Sequence, residues 1–260
     1  MRVELGAVCV FCGSNRGARP EYEQAAREAG RLLAGQGIRL VYGGASEGLM
    51  GAVADAALAV GGVVTGVMPR DLAVEEPPHD GLSELHLVGT MHERKALMAE
   101  LSDAFLVLPG GLGTPEEAFE AISWTQLRLQ DKPTGFLNVN GFFNPMLEQL
   151  DRMVAEGFVH QEHRDGIYFD DQPSRLLHRL AEFESPDIHK WIDRDLRHRL
   201  SQTASAPKRE KPVRPAGCGP YRWGRPGKRT ARAARRPATR PGGRLRSRPR
   251  PAPMGGGRTG

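Results

Sequence analysis

The sequence predicts an α/β fold in which a parallel sheet is covered by helices on both faces. Short apolar runs alternate with stretches of helical spacing over residues 1–200. The apolar runs are continuous, as strands buried on both faces require. Three glycine-rich or polar loops, 12–15, 43–48 and 109–114, each follow a predicted strand end. Folds of this class bind ligands at the carboxyl ends of their strands.

Val3–Phe11 is an apolar run closed by Cys12-Gly13-Ser14-Asn15, a strand and loop. Pro20–Ala34 has helical spacing and stops at Gly35. Ile38–Tyr42 is a second strand, ended by Gly43-Gly44, and Leu49–Val60 a helix of small residues before Gly61-Gly62. Strands follow at Val63–Met68 and Leu85–Val88, then a helix over His92–Leu101. Ala104–Leu108 is a fifth strand running into Pro109-Gly110-Gly111, and Pro115–Leu129 a long helix. Thr134–Asn138 is a strand, Pro145–Glu156 a helix, Ile167–Phe169 a short strand and Pro173–Phe183 a last helix. Between the third and fourth strands, Asp71–Gly81 reads as a long polar connection, a length often used for functional lids.

Charge divides the chain. Residues 1–200 carry a net −11, and residues 201–260 a net +16, within a total of +5. About 200 residues suit one α/β domain with a single core, so residues 1–200 are read as one domain. Residues 201–260 hold ten Pro and ten Gly among seventeen basic residues. Such a segment buries too little apolar surface to offset its chain entropy and is expected to be a disordered basic tail. An acidic body is a poor general nucleic-acid binder, so affinity for polyanions is assigned to the tail.

Three cysteines are too few for a disulfide scaffold. Cys9-x-x-Cys12 lacks a second Cys/His pair to complete a zinc site, and Cys9 falls inside a strand, so both are expected to be structural thiols. No metal site is expected. The start lacks a signal peptide, and no apolar run reaches the ~18 residues that span a membrane. The cytoplasm is the expected compartment.

The chemistry concentrates at Pro109-Gly110-Gly111-Leu112-Gly113-Thr114-Pro115-Glu116-Glu117. Three glycines in four residues let the backbone approach a ligand closely. Thr114 is placed at the N-cap and Pro115 at the first helical position. The helix start then presents free N–H groups suited to a phosphate. No Lys follows, as a Walker loop would need, and no acid stands at the spacing of a cofactor ribose. Glu116 and Glu117 would repel an anion, so they are expected to face another part of the ligand, such as a sugar. On spacing alone, Thr114-x-x-Glu117 is equally a capping box; the readings agree if the cap fixes the carboxylate's rotamer. Gly43-Gly44-Ala45-Ser46-Glu47-Gly48 is a second strand-to-helix glycine loop, read either as close packing or as part of a nucleotide site. Thr90-x-x-Glu93 is a further capping box, putting Arg94 and Lys95 in a first helical turn, where cations oppose the helix dipole. They are read as a solvated pair or as functional cations, with Arg94 suited to phosphate or carboxylate.

Phe11-Cys12-Gly13-Ser14, Tyr42-Gly43-Gly44-x-x-x-Gly48-Leu49-Met50-Gly51, Met91-His92-x-Arg94-Lys95 and Pro109-Gly110-Gly111-x-Gly113-Thr114-x-x-Glu117 together resemble the LONELY GUY family. These are the cytokinin riboside 5′-monophosphate phosphoribohydrolases, often mislabelled lysine decarboxylases. Ser123–Leu127, Asp131-Lys132-Pro133 and Asn138–Phe143 fit as well, and the resemblance covers roughly residues 5–185. The Asp71–Gly81 loop resembles bacterial members more than plant ones; the tail has no counterpart. The resemblance implies a Rossmann-like, doubly wound sheet and a homodimer with sites near the subunit interface. It implies catalytic roles for Arg94 and Glu117. It implies substrate contacts from Lys95, Gly110, Gly111, Leu112, Gly113, Thr114 and Glu116, and from Glu76 in the variable loop. Ser14, Gly43 and Gly44 are added as lining residues of the other two loops.

The expected reaction is hydrolysis of the N-glycosidic bond of an N6-modified adenosine 5′-monophosphate, with AMP as a further substrate. It gives free base and ribose 5-phosphate, without metal or redox cofactor. Two other readings stay open. One is a non-catalytic nucleotide or cofactor carrier on the same fold. The other is nucleic-acid contact through the tail, whose only aromatics are Tyr221 and Trp223. The tail is otherwise an extension without a role, and its abrupt composition is also what a shifted reading frame produces.

Overall fold

The structure, a computed structural model, describes residues 4–186. The expected boundary at residue 200 and the basic tail lie outside the described residues. The elements run β1 (Ala7–Phe11), α1 (Pro20–Gly35), β2 (Arg39–Tyr42), α2 (Gly48–Leu58), β3 (Val64–Pro69), α3 (Leu72–Glu75), β4 (Glu84–Val88), α4 (Met91–Glu100), β5 (Ala104–Val107) and α5 (Gly113–Gln126). Then come β6 (Thr134–Leu137), a 3-10 turn at Val139–Gly141, α6 (Asn144–Ala155), α7 (Gln161–Asp165), β7 (Ile167–Asp170) and α8 (Pro173–Ala181).

The seven strands form one sheet in the order β4-β3-β2-β1-β5-β6-β7, and every pair is parallel. The expected doubly wound architecture is therefore present. Alternation along β1 shows how both faces fill: Val8 and Val10 enter a core with α1, α2 and α8, while Ala7, Cys9 and Phe11 enter one with α4, α5 and α6. Cys9 and Cys12 are buried free thiols in these two opposite cores. Burial pushes both thiols well above their ordinary range, with the Glu117 charge adding to it.

The chain winds one way from β1 to β4 and the other way from β5 to β7. The reversal lies between β1 and β5, the place where such sheets leave a crevice at their carboxyl edge. There the Gly13 N–H donates to the Pro109 carbonyl at 3.1 Å. The loops after β1 and β5 are thus stitched together at the switch point.

Three expectations are corrected. Leu85–Val88 was expected to be buried on both faces, yet β4 is an edge strand with Glu84, Leu85 and Leu87 exposed, because among the described residues it pairs with β3 alone and only its Val88 packs against a core cluster. Asp71–Gly81 is not featureless. It contains α3 and is tied down where Ala45 and Pro78 form an antiparallel bridge and the His79 N–H donates to the Gly44 carbonyl at 2.9 Å. The helix expected from Pro115 begins two residues earlier, at Gly113.

Candidate active site

Helix α4 brings in the cations. The Thr90 hydroxyl accepts from the Glu93 N–H at 3.1 Å, and the Glu93 carboxylate accepts from the Gly89 N–H at 2.7 Å. This cap fixes the helix start and turns Arg94 and Lys95 inward. Both are buried, so the solvated-pair reading does not hold. The Arg94 Nε donates to the Val67 carbonyl within β3, 3.1 Å away. Its Nη1 stands 3.4 Å from Glu117 Oε1, with the two side chains only 9% and 10% exposed. Gly43 makes room for this guanidinium: a Cβ there would lie 2.1 Å from Arg94 Nη2.

Glu117 hangs from the first turns of α5. The expected Thr114–Glu117 capping box is absent. The N-cap residue is Leu112, without a side-chain cap, and Thr114 is buried inside the helix, its hydroxyl and Cβ filling the space over Gly110. With the helix starting at Gly113, Glu117 is released from a capping position and meets Arg94 instead. Burial raises the Glu117 carboxyl above its ordinary range. Arg94 opposes that shift, Glu116 and Glu120 add to it, and Lys95 lowers it.

Lys95 has different company. Its ammonium pairs with Glu116 and, at 2.9 Å, with Glu120. Burial acts to lower its pKa, but these two carboxylates raise it overall and hold the cation charged. The two cations that oppose the α4 dipole are thus matched by three carboxylates of α5. A buried ion pair is weak evidence for stability, because desolvation offsets its attraction; its presence at the strand ends suits a chemical role.

Beside this pair the glycine loop is open. A Cβ on Gly111 or Gly113 would meet nothing within 4 Å, and Leu112 is 94% exposed. The Gly111 and Leu112 amides donate to no group among the described residues. Gly110, Gly111 and Ser14 line a cleft of about 260 Å³ at the switch point, together with Arg16, Tyr22 and Phe142. The structure therefore brings Arg94, Lys95, Glu116, Glu117 and Gly43 together, while Ser14 lines the cleft with Gly110 and Gly111. Glu76 is exposed at the end of α3, and Gly44 anchors its loop through the His79 bond.

Sequence reasoning missed Glu120, Val67, Arg16, Tyr22 and Phe142. Glu120 stands four residues after Glu116 on one helix face, a spacing that was readable. The Val67 carbonyl carries no side-chain signal at all.

A glycine loop with open amides at the switch point of a doubly wound sheet, beside a buried carboxylate–guanidinium pair, makes this a Rossmann-like α/β protein with a candidate anion site. Residues 50–180 match the family model described as "Possible lysine decarboxylase". The cytokinin riboside 5′-monophosphate phosphoribohydrolase of Rhodococcoides fascians is 51% identical over 154 residues, 59% of this chain and 78% of that protein. The enzymes of the same name called LOG4 in Arabidopsis thaliana and LOG in Oryza sativa subsp. japonica are 44% and 45% identical. They cover 69% and 70% of this chain and 84% and 75% of their own lengths. The chain belongs to the LONELY GUY family. Among solved structures, the molybdenum cofactor carrier protein of Chlamydomonas reinhardtii is similar at TM-score 0.54 and 19% identity over 69% of this chain and all of that one. The molybdenum cofactor binding protein of Rippkaea orientalis is similar at 0.53 and 20%, over 69% of this chain and 97% of that one. These two likenesses show the fold alone.

Proposed function

We propose that this protein hydrolyses the N-glycosidic bond of N6-modified adenosine 5′-monophosphates, releasing the free base and ribose 5-phosphate, and that it accepts AMP as well. The names of the relatives support the substrate class. The observation that carries the chemistry is Glu117, buried, raised in pKa and held 3.4 Å from Arg94 beside the open glycine loop.

Such a bond breaks through an oxocarbenium-like transition state, with positive charge at C1′. The Glu117 carboxylate stabilises that charge and orients or deprotonates the attacking water. Arg94 keeps Glu117 ionised against its burial and against Glu116 and Glu120, and balances the anionic substrate. The open amides of Gly111 and Leu112, with Gly110, Gly113 and Thr114, hold the 5′-phosphate. Binding energy from that remote group positions the scissile bond. Lys95 and Glu116 form the wall next to Glu117, and Glu76 contacts substrate from the α3 loop. Charge stabilisation by these side chains meets the needs of the reaction without a metal or redox cofactor.

The working form is a homodimer with sites near the interface, a reading supported by the exposed Leu85, Leu87, Met91 and Leu112 beside the site elements. Residues 201–260 act apart from catalysis, and a chain cut at residue 200 keeps its turnover. Among the described residues no helix is long and apolar enough to cross a membrane; the cytoplasm is the proposed compartment.

A panel of purine nucleotides assayed for free base and ribose 5-phosphate tests the reading. Equimolar release from isopentenyl-AMP is expected, and nucleotide binding without any base release would leave a carrier instead.

A further inference from the structure

His79 sits in the connection between α3 and β4 and makes three ties. Its Nδ1 accepts from the Gly81 N–H at 3.0 Å, and its Nε2 lies 2.9 Å from Asp55 Oδ1 on α2. An acceptor at Nδ1 assigns the ring proton of the neutral imidazole to Nε2, which donates it to Asp55. The third tie is the His79 N–H to the Gly44 carbonyl, next to the Ala45–Pro78 bridge. The ring is enclosed, with 13% of the side chain exposed against 54% for Asp55.

One tie, the main-chain bond to Gly44, lands beside the site, and the ring's bond to Asp55 fixes the same loop to α2. Glu76 lies three residues before His79, in a stretch whose next anchor upstream is its own N–H on the Leu72 carbonyl. Gly44 takes φ +87° and follows Gly43, which leaves room for the Arg94 guanidinium. The His79 side chain therefore ties the loop carrying Glu76 to α2 through Asp55, while its main chain ties the same loop to the turn that shapes the Arg94 pocket. Nothing in the fold alone calls for this, because β3 and β4 are already joined through five register pairs.

We propose that His79, braced by Asp55, is a positioning residue for substrate binding: it holds the Glu76 loop over the nucleotide site. The proposal rests on the nucleotide hydrolase reading and on Glu76 as a substrate contact. It places the effect of His79 in affinity and not in the chemical step.

The test is a double-mutant cycle on the full chain, with His79→Ala, Glu76→Ala and the double variant. KM and kcat are read for isopentenyl-AMP, and Kd for AMP by calorimetry. His79→Ala is expected to raise KM and Kd about tenfold with kcat within about twofold. In the Glu76→Ala background it adds almost nothing. Asp55→Ala, which removes the ring's tie to α2 and leaves the Gly81 bond in place, is expected to reproduce most of the loss. Additive effects of the two substitutions, or an unchanged KM and Kd with only a lower folded fraction, would overturn the proposal. A wild type that binds nucleotide but releases no base sinks the hydrolase reading alone, and the cycle is then read on Kd. A wild type that binds no nucleotide sinks both.

Discussion

The two glycine-rich strand-to-helix loops look alike in sequence and do opposite things. In Gly43–Gly48 the missing side chains are replaced by the protein itself. A Cβ on Gly43 would strike Arg94, and one on Gly48, at φ +63°, would lie 2.3 Å from the Ser14 backbone. In Gly110–Gly113 only Gly110 is filled, by Thr114, while Gly111 and Gly113 face open space. The first loop is a socket built from within. The second has space left for something from outside. Glycine content says that something comes close; only the neighbours say whether it is a side chain or a ligand.

The contrast can be broken in order of expected effect. If the open loop grips the 5′-phosphate, the nucleoside without phosphate loses turnover altogether. Equal rates on adenosine and AMP would remove the assignment. Gly43→Ala is expected to displace the guanidinium and cost about tenfold or more in kcat, with KM changing less. Its measurement pairs steady-state rates with a thermal melt, which should move little because a flexible side chain is what must shift. Gly111→Ala is the smallest change. Stability should hold within about 0.5 kcal/mol, and the loss should appear in KM. A large fall in melting temperature would show that this loop too is filled from within.

Acid sensitivity sharpens the same picture. The working form of Glu117 is the carboxylate, and burial raises its pKa above the ordinary value of 4.5. Activity is therefore lost as pH falls through that raised value, and the acid limb of kcat/KM lies above 4.5. Arg94 lowers the Glu117 pKa, so residual activity in Arg94→Ala should show its limb at higher pH still. A limb that stays in place would separate Arg94 from the titrating group.

Most of the sheet was readable because strands such as Ala7–Phe11 and Ala104–Leu108 are unbroken apolar runs. β4 carried its own warning: Leu85 and Leu87 are interleaved with Glu84 and His86, so it lacks the unbroken apolar run of the central strands. The site was harder. Thr114-x-x-Glu117 satisfied a local capping rule, and Thr90-x-x-Glu93 satisfied the same one. Only the second formed, because Glu117 finds Arg94, a partner 23 positions away that the fold supplies. The burial of Arg94 and Lys95 was equally out of reach. It depends on Glu116, Glu117 and Glu120 arriving from another helix and on a main-chain carbonyl at Val67. Motif resemblance located these residues; local physics could not have paired them.

The central claim is that Glu117 is a catalytic carboxylate and not a structural one. Its most direct test is the rate of base release per folded molecule in Glu117→Gln, with folding and oligomeric state checked by circular dichroism and light scattering. The account predicts a loss of about 10²-fold or more in kcat in a protein that folds and assembles like the wild type. A variant that loses stability but keeps the wild-type rate per folded molecule would contradict it.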